Sequence, residues 1–142
     1  MTKSDLYSFI AGCKLGVIST LSSAGSVQSA LVGIAVTQDL EIIFDTVKSS
    51  RKYSNLISNP VCSLVAGWAG EQTVQYEGVA TELQGAELQR CQGTYFKTWP
   101  DGPSRMTWPG IVYFGVRPTW IRYSDFDVIP PRIREFDLTQ PA

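Results

Sequence analysis

Apolar residues are spaced as in a helix at the start of the chain and as in strands directly after it. Leu6, Ile10 and Cys13 recur three and four positions apart, which predicts a short helix over residues Thr2 to Cys13. The segments that follow are rich in β-branched residues and are separated by short polar turns, so they predict three antiparallel strands in a meander. These strands are Leu15 to Leu21, Val27 to Thr37 and Leu40 to Thr46.

The spacing of apolar residues changes again after Thr46. A stripe that includes Tyr53 and Leu56 predicts a helix that Pro60 ends. Strand-like alternation then returns, and its parity changes at Gly78, which predicts a β-bulge or a sharp bend. A further helix follows, and the last strand is broken at Pro118. The predicted elements are a helix over Ser49 to Asn59, strands over Val61 to Trp68 and Gln72 to Gln84, a helix over Ala86 to Phe96 and a strand over Ile111 to Tyr123.

This order of elements predicts a mainly β protein. Three meander strands, a crossover helix, a hairpin and a long returning strand favour a six-stranded antiparallel barrel, closed or split, with flanking helices. A Rossmann fold is disfavoured, since strands and helices do not alternate and no glycine-rich turn follows the first strand. With 142 residues, 44% of them hydrophobic, the chain is expected to form one domain over residues 1–142, with 124–142 as a C-terminal extension.

Composition narrows the classes of function. A formal net charge of −1 gives no general attraction for nucleic acid or for an anionic membrane, so a bound anion needs a local cluster of donors. No apolar run approaches the roughly 20 residues that span a bilayer, and the first residues do not resemble a signal peptide. Three widely spaced cysteines suggest reduced thiols. We therefore expect a cytoplasmic protein that binds neither nucleic acid nor membrane.

The chain contains no histidine. This excludes HExxH zinc sites, Ser-His-Asp triads, Cys-His nucleophile pairs and histidine-ligated haem. No metal site is expected, and no catalytic residue can be assigned from the sequence. If the protein is an enzyme, its reactivity comes from an organic cofactor or from carboxylate, lysine and tyrosine groups.

The most informative segment runs from a strand end into the predicted second helix. Arg51 and Lys52 in the first helical turn oppose the positive end of the helix dipole, at a cost of about 0.3–1 kcal/mol per exposed charge. A bound anion would offset that cost, because free backbone N–H groups and the hydroxyls of Thr46, Ser49 and Ser50 lie in the same segment. A solvated helix start with incidental charges is the alternative that local chemistry leaves open.

The succession of motifs resembles the pyridoxamine 5'-phosphate oxidase-like family of FMN-binding split barrels. The resemblance covers Leu15 to Tyr123. The motifs that carry it are Phe44-Asp45-Thr46 with Ser50-Arg51-Lys52, then Asn55-Leu56-Ile57-Ser58-Asn59-Pro60, and then Tyr95-Phe96. It implies that the domain is an FMN-binding split barrel.

The resemblance also implies a set of cofactor contacts. Arg51 and Lys52 would hold the FMN phosphate, and Asp45 with Thr46 would contact the ribityl phosphate or the ring. Ala30 to Ala35, with Val32 and Gly33 among them, would lie along the flavin by main-chain contacts, and Thr73 would take the place of a family glutamine near the ring. Ser49 and Ser50 at the helix start are cofactor candidates from local chemistry. A homodimer with the flavin at its interface is implied as well.

The resemblance fails at the substrate. Trp99 stands where the vitamin B6 oxidases have an arginine that binds substrate phosphate, so pyridoxamine phosphate is not the expected substrate. Trp99 and Trp108 lie in a Pro/Gly-rich loop, where they would form either an aromatic lid over a planar ring or ordinary loop anchors. Arg105 and Tyr95 are further candidates for a substrate pocket.

Three functions remain open from the sequence. The first is a flavin-dependent oxidoreductase that takes electrons from NAD(P)H or another donor and acts on an unknown small acceptor. The second is a non-catalytic carrier of FMN, deazaflavin or haem, although the lack of histidine weighs against haem. The third is a barrel that binds phosphate ligands or proteins and has no redox role.

Overall fold

Eight strands form one antiparallel sheet in the computed structural model, which describes residues 1–139. The helices are α1 (Lys3–Ala11), α2 (Arg51–Ser58) and α3 (Gly85–Thr98), and a 3-10 turn covers Gly102–Arg105. The strands are β1 (Leu15–Leu21), β2 (Val27–Gly33), β3 (Ala35–Val36), β4 (Ile42–Val47), β5 (Val61–Ala66), β6 (Gln72–Glu82), β7 (Ile111–Asp125) and β8 (Arg132–Asp137).

The sheet curls into a split barrel. Its strand order is β2-β1-β5-β6-β7-β4-β3, with β8 paired to β7 beside this path. Because β2 and β3 are consecutive in the chain, residues 27–36 connect the two ends of the sheet. The predicted mainly β split barrel with flanking helices is therefore confirmed. The six predicted strands correspond to β1 to β7 when β2 and β3 are counted as one strand.

Two strand predictions need correction. The single strand predicted over Val27 to Thr37 is interrupted at Ile34, whose N–H donates to the carbonyl of Lys14 instead of continuing the ladder. Strand β8 was not predicted, and it lies within the predicted C-terminal extension 124–142. Its Phe136 is buried in the barrel core and β8 pairs with β7, so this part of the extension belongs to the sheet. Residues 140–142 of the predicted extension lie outside the described residues.

The predicted change of parity at Gly78 is present as a shift of register. Glu77 lies opposite Trp120 and Gly78 lies opposite Pro118, so Thr119 is the additional residue and the bulge belongs to β7. A Cβ atom at Gly78 would lie 2.5 Å from the carbonyl oxygen of Arg117. Only glycine fits this close approach of the two strands.

Two hydrophobic clusters lie on opposite sides of the curled sheet. The larger fills the barrel and includes Phe44, Phe114 and Tyr76, together with Leu6 and Ile10 of α1. The smaller packs α3 against the outer surface of the sheet, and its members are Ala35, Ile43, Leu83, Cys91, Tyr95 and Tyr113. No helix within residues 1–139 is long and apolar enough to cross a membrane.

Candidate cofactor site

Helix α2 begins at a well-defined cap. The hydroxyl of Ser50 accepts a hydrogen bond from the backbone N–H of Tyr53 at 3.3 Å, which fixes the first turn. The hydroxyls of Thr46 and Ser50 lie 2.9 Å apart, so the buried end of β4 is joined directly to the helix start. Thr46 and Ser50 therefore shape the site, while Ser49 is exposed beside it.

The first turn of α2 carries positive charge that no ion pair neutralises within residues 1–139. Arg51 and Lys52 occupy this turn, which contains no acidic residue. Neither side chain forms an ion pair with a carboxylate of residues 1–139. Burial lowers the pKa of Lys52 below its usual 10.5, and the charge of Asp45 opposes this shift only in part. The helix dipole therefore disfavours both charges, and partial burial also disfavours the charge of Lys52, until an anion binds.

A small cavity of about 100 Å³ lies against these two cations. Strands β1 and β2 and helix α2 form its wall, with Ile18, Thr20, Gln28, Ser29, Ala30, Arg51 and Lys52 as lining residues. The lining includes no carboxylate, and its side chains offer ammonium, guanidinium, amide and hydroxyl donors. Ligand pockets measure about 300–1,000 Å³, so this cavity has room for one end of a cofactor.

Sequence reasoning missed three residues of this site. Thr20 and Gln28 lie directly opposite each other on β1 and β2, and both line the cavity. Asn55 of α2 is buried and donates a hydrogen bond to each of them. A usable signal was present for Thr20, since it has the inward parity of Gly16 and Ile18 on β1.

Asp45 is absent from the cavity lining. Its Oδ2 lies 3.1 Å from Nε of Arg105, and the two side chains are only 15% and 17% exposed. A second carboxylate, that of Asp101, lies 2.8 Å from Arg105. Two carboxylates on one guanidinium leave Arg105 without surplus positive charge for an anionic substrate.

Residue Thr73 is also absent from the cavity lining. Its hydroxyl donates to the carbonyl of Ala66, across the hairpin formed by β5 and β6. Within a single chain, Thr73 therefore lies on the hairpin of β5 and β6 and not in the cavity beside Arg51 and Lys52.

Trp99 packs on the main chain of Gly33. A Cβ atom at Gly33 would lie 2.9 Å from the indole ring, so glycine allows this contact. The indole N–H donates to the carbonyl of Ile34 at 3.0 Å, and the hydroxyl of Tyr95 lies 3.4 Å from the carbonyl oxygen of Gly33. These contacts are those of a loop anchor, the second of the two alternatives for Trp99. They also cover Gly33, and the neighbouring Val32 is buried.

The proposed substrate residues do not converge on one cavity. Tyr95 is a buried residue of α3, and Arg105 is held by its two carboxylates. Trp108 is 53% exposed on the loop that precedes β7. Within residues 1–139, no group of three or more His, Cys, Asp or Glu residues is arranged to hold a metal ion.

Comparison with known proteins adds evidence for the family. The pyridoxamine 5'-phosphate oxidase family model matches residues 3–125, whereas no curated protein matches with significant sequence similarity. A heme binding protein from Mycobacterium smegmatis superposes with a TM-score of 0.81 at 15% identity, covering 96% of this chain and 58% of that chain. General Stress Protein 26 from Bacillus anthracis gives 0.70 at 22% identity, covering 94% of this chain and 98% of that one.

A pyridoxamine 5'-phosphate oxidase-related, FMN binding protein from Nostoc punctiforme superposes with a TM-score of 0.65 at 9% identity, covering 97% of this chain and 93% of that one. At such low identities these structures show the fold alone, and this chain spans little more than half of the M. smegmatis protein. The family match extends over most of the sequence. The chain therefore belongs to the pyridoxamine 5'-phosphate oxidase family.

Proposed function

We propose that this protein binds FMN, with the cofactor phosphate in the cavity between β1, β2 and α2, and that it acts as a flavin-dependent oxidoreductase. The observation that carries the proposal is the donor set of the cavity. Arg51 and Lys52 lie at a helix start without a carboxylate partner, and the lining contains no acidic residue. A phosphate satisfies free N–H groups and both cations at once.

Flavin fits this donor set better than haem does. A phosphate presents several oxygens at one point, which matches a small cavity with clustered donors. Histidine, a common ligand of haem iron, does not occur in the chain. The similarity to an FMN binding protein and to a heme binding protein supports the fold alone, and the donor chemistry of the cavity favours FMN.

The cavity leaves most of a flavin outside, so another surface must cover the ring. The outer face of β1, β2 and β5 exposes a row of apolar side chains with serines between them. We call this the apolar sheet face, and its apolar members are Leu21, Val27, Leu31, Val61 and Val65. Thr20 borders both the phosphate cavity and a depression of about 470 Å³ in this face. A second copy of the chain bound here would complete the flavin site at a twofold interface.

The proposed substrate is a small acceptor that lacks phosphate. Trp99 stands where the B6 oxidases have an arginine, and its indole N–H is held by the carbonyl of Ile34. Arg105 is neutralised by Asp45 and Asp101. Bound FMN would supply the electron transfer, with NAD(P)H as the proposed donor. The chain itself contributes binding, orientation and exclusion of water at the ring.

Titration of the purified protein with FMN, riboflavin and haemin tests the cofactor. FMN should bind more tightly than riboflavin, because riboflavin lacks the phosphate. The proposal fails if FMN does not bind, or if haemin binds and FMN does not displace it.

Anaerobic mixing of the FMN complex with NADH or NADPH then tests activity. Loss of the oxidised flavin absorbance, followed by its return when oxygen or a quinone is added, supports an oxidoreductase. A complex that neither donor reduces is a flavin carrier, which is the alternative function.

A further inference from the structure

Asn55 holds together the two strands and the helix that surround the phosphate cavity. It is 6% exposed and lies on α2. Its Nδ2 atom lies 2.9 Å from Oγ1 of Thr20 and 2.9 Å from Oε1 of Gln28. A primary amide has two N–H hydrogens, so one nitrogen can make both hydrogen bonds.

These hydrogen bonds determine which atoms the cavity receives. Because Oε1 of Gln28 accepts from Asn55, the NH₂ group of Gln28 is the end that remains free. That nitrogen has no hydrogen-bond partner in the part of the chain that the structure describes. Thr20 likewise accepts with its oxygen, so its hydroxyl hydrogen remains available. Both side chains line the cavity beside Arg51 and Lys52.

From this arrangement we propose that Asn55 is a positioning residue that presents the Gln28 amide and the Thr20 hydroxyl to the phosphate of the cofactor. The inference rests on the proposed binding of FMN in the same cavity. Partly buried donors that lack an acceptor are unfavourable, and phosphate oxygens would satisfy them. The cations supply attraction for any anion, whereas the neutral donors add directional hydrogen bonds at fixed positions.

The geometry predicts a selective effect on phosphate recognition. Gln28→Met keeps the length of the side chain and removes both N–H donors. It should weaken FMN binding about tenfold or more, since hydrogen bonds to charged groups are strong, while riboflavin binding stays unchanged. Gln89→Met on the exposed surface of α3 is the matched control and should bind both flavins as the wild type does.

A double-mutant cycle tests the role of Asn55. Asn55→Leu removes the amide that orients Gln28, so it should weaken FMN binding as well. The double variant should bind FMN little worse than Asn55→Leu alone, because Asn55→Leu already misplaces the Gln28 donor that Gln28→Met removes. Thermal unfolding of each unliganded variant identifies any that fails to fold, and Gln28→Met alone then carries the test.

The outcomes separate this inference from the proposed function. Wild-type protein that does not bind FMN overturns both. If the wild type binds FMN and Arg51→Ala weakens it, but Gln28→Met has no effect, only the role of Asn55 and Gln28 is wrong. An equal loss of FMN and riboflavin affinity in Gln28→Met would also overturn it, because that pattern indicates a structural role.

Discussion

Asp45 and Arg105 form an ion pair with 3.1 Å between Oδ2 and Nε, although 60 positions separate them in the chain. The pair joins β4 to the 3-10 turn after α3, and both side chains are mostly buried. The carboxylate therefore has a partner within the chain. The ion pair gives Asp45 a structural role, which differs from the cofactor contact that the sequence suggested.

Asp45→Asn should destabilise the protein without weakening FMN binding. The change leaves the Arg105 guanidinium with Asp101 alone, which should lower the free energy of unfolding by about 1–3 kcal/mol. Urea unfolding measures the stability, and FMN titration measures the affinity. Asp39→Asn, an exposed carboxylate, is the control. A tenfold loss of FMN affinity in Asp45→Asn would instead support a direct cofactor contact.

Substitution of the two cations should change stability and affinity in opposite directions. Arg51→Ala removes a charge that opposes the helix dipole, so the unliganded protein should gain up to about 1 kcal/mol of stability. The same variant, and Lys52→Ala, should each bind FMN at least about tenfold more weakly because a charge-assisted hydrogen bond is lost. Riboflavin binding should not change. Lys97→Ala on the exposed surface of α3 controls for a general loss of charge.

FMN affinity should fall as the pH rises towards 10.5, the usual pKa of lysine. Burial lowers the pKa of Lys52, so in the free protein its ammonium loses its proton below that value. The phosphate is already fully ionised, since its second pKa is about 6, and it contributes no change of charge in this range. Fluorescence titration at increasing pH measures the effect.

Lys52→Arg is the control for this pH dependence. Arginine keeps its charge throughout the range, so the part of the alkaline loss that comes from Lys52 should disappear. An identical pH profile in the two proteins would exclude Lys52 as the titrating group.

Gly33→Ala should destabilise the fold through its contact with Trp99. The added methyl group would lie 2.9 Å from the indole ring, and overpacking of this kind costs about 1–3 kcal/mol. In a Trp99→Phe background the cost should shrink, because the smaller ring withdraws from the contact. Urea unfolding of the two single variants and the double variant measures this coupling. Equal costs in both backgrounds would show that Trp99 does not restrict Gly33.

Strands with one buried face were predictable from the sequence. In β1 and β5, inward residues alternate with more exposed ones, and this period is visible locally. Strand β8 buries only Phe136, so it shows no alternation. The interruption at Ile34 depends on barrel closure and on contacts with residues far along the chain, and no local pattern encodes it.

The candidate site likewise contains residues that a local pattern indicates and residues that only the fold brings together. Arg51 and Lys52 were recognisable because charge at a helix start is a local feature. The hydrogen bond between Asn55 and Gln28 spans 27 positions, and the ion pair between Asp45 and Arg105 spans 60. Such partners become apparent once strand register and helix packing are known. The sequence therefore indicated the charged part of the candidate site but not the neutral donors Thr20 and Gln28.

Leu31→Glu should disrupt the proposed dimer and, with it, flavin binding. Leu31 is 61% exposed on the apolar sheet face, where it lies opposite Val17, which in turn lies opposite Val65. Two glutamates brought near each other at a twofold interface would be desolvated and would repel, so the variant should elute as a monomer in size-exclusion chromatography with light scattering. Ile129→Glu is the control, because Ile129 is 98% exposed and lies outside this face. If the monomeric variant still binds FMN as tightly as the wild type, the second copy contributes nothing to the flavin site.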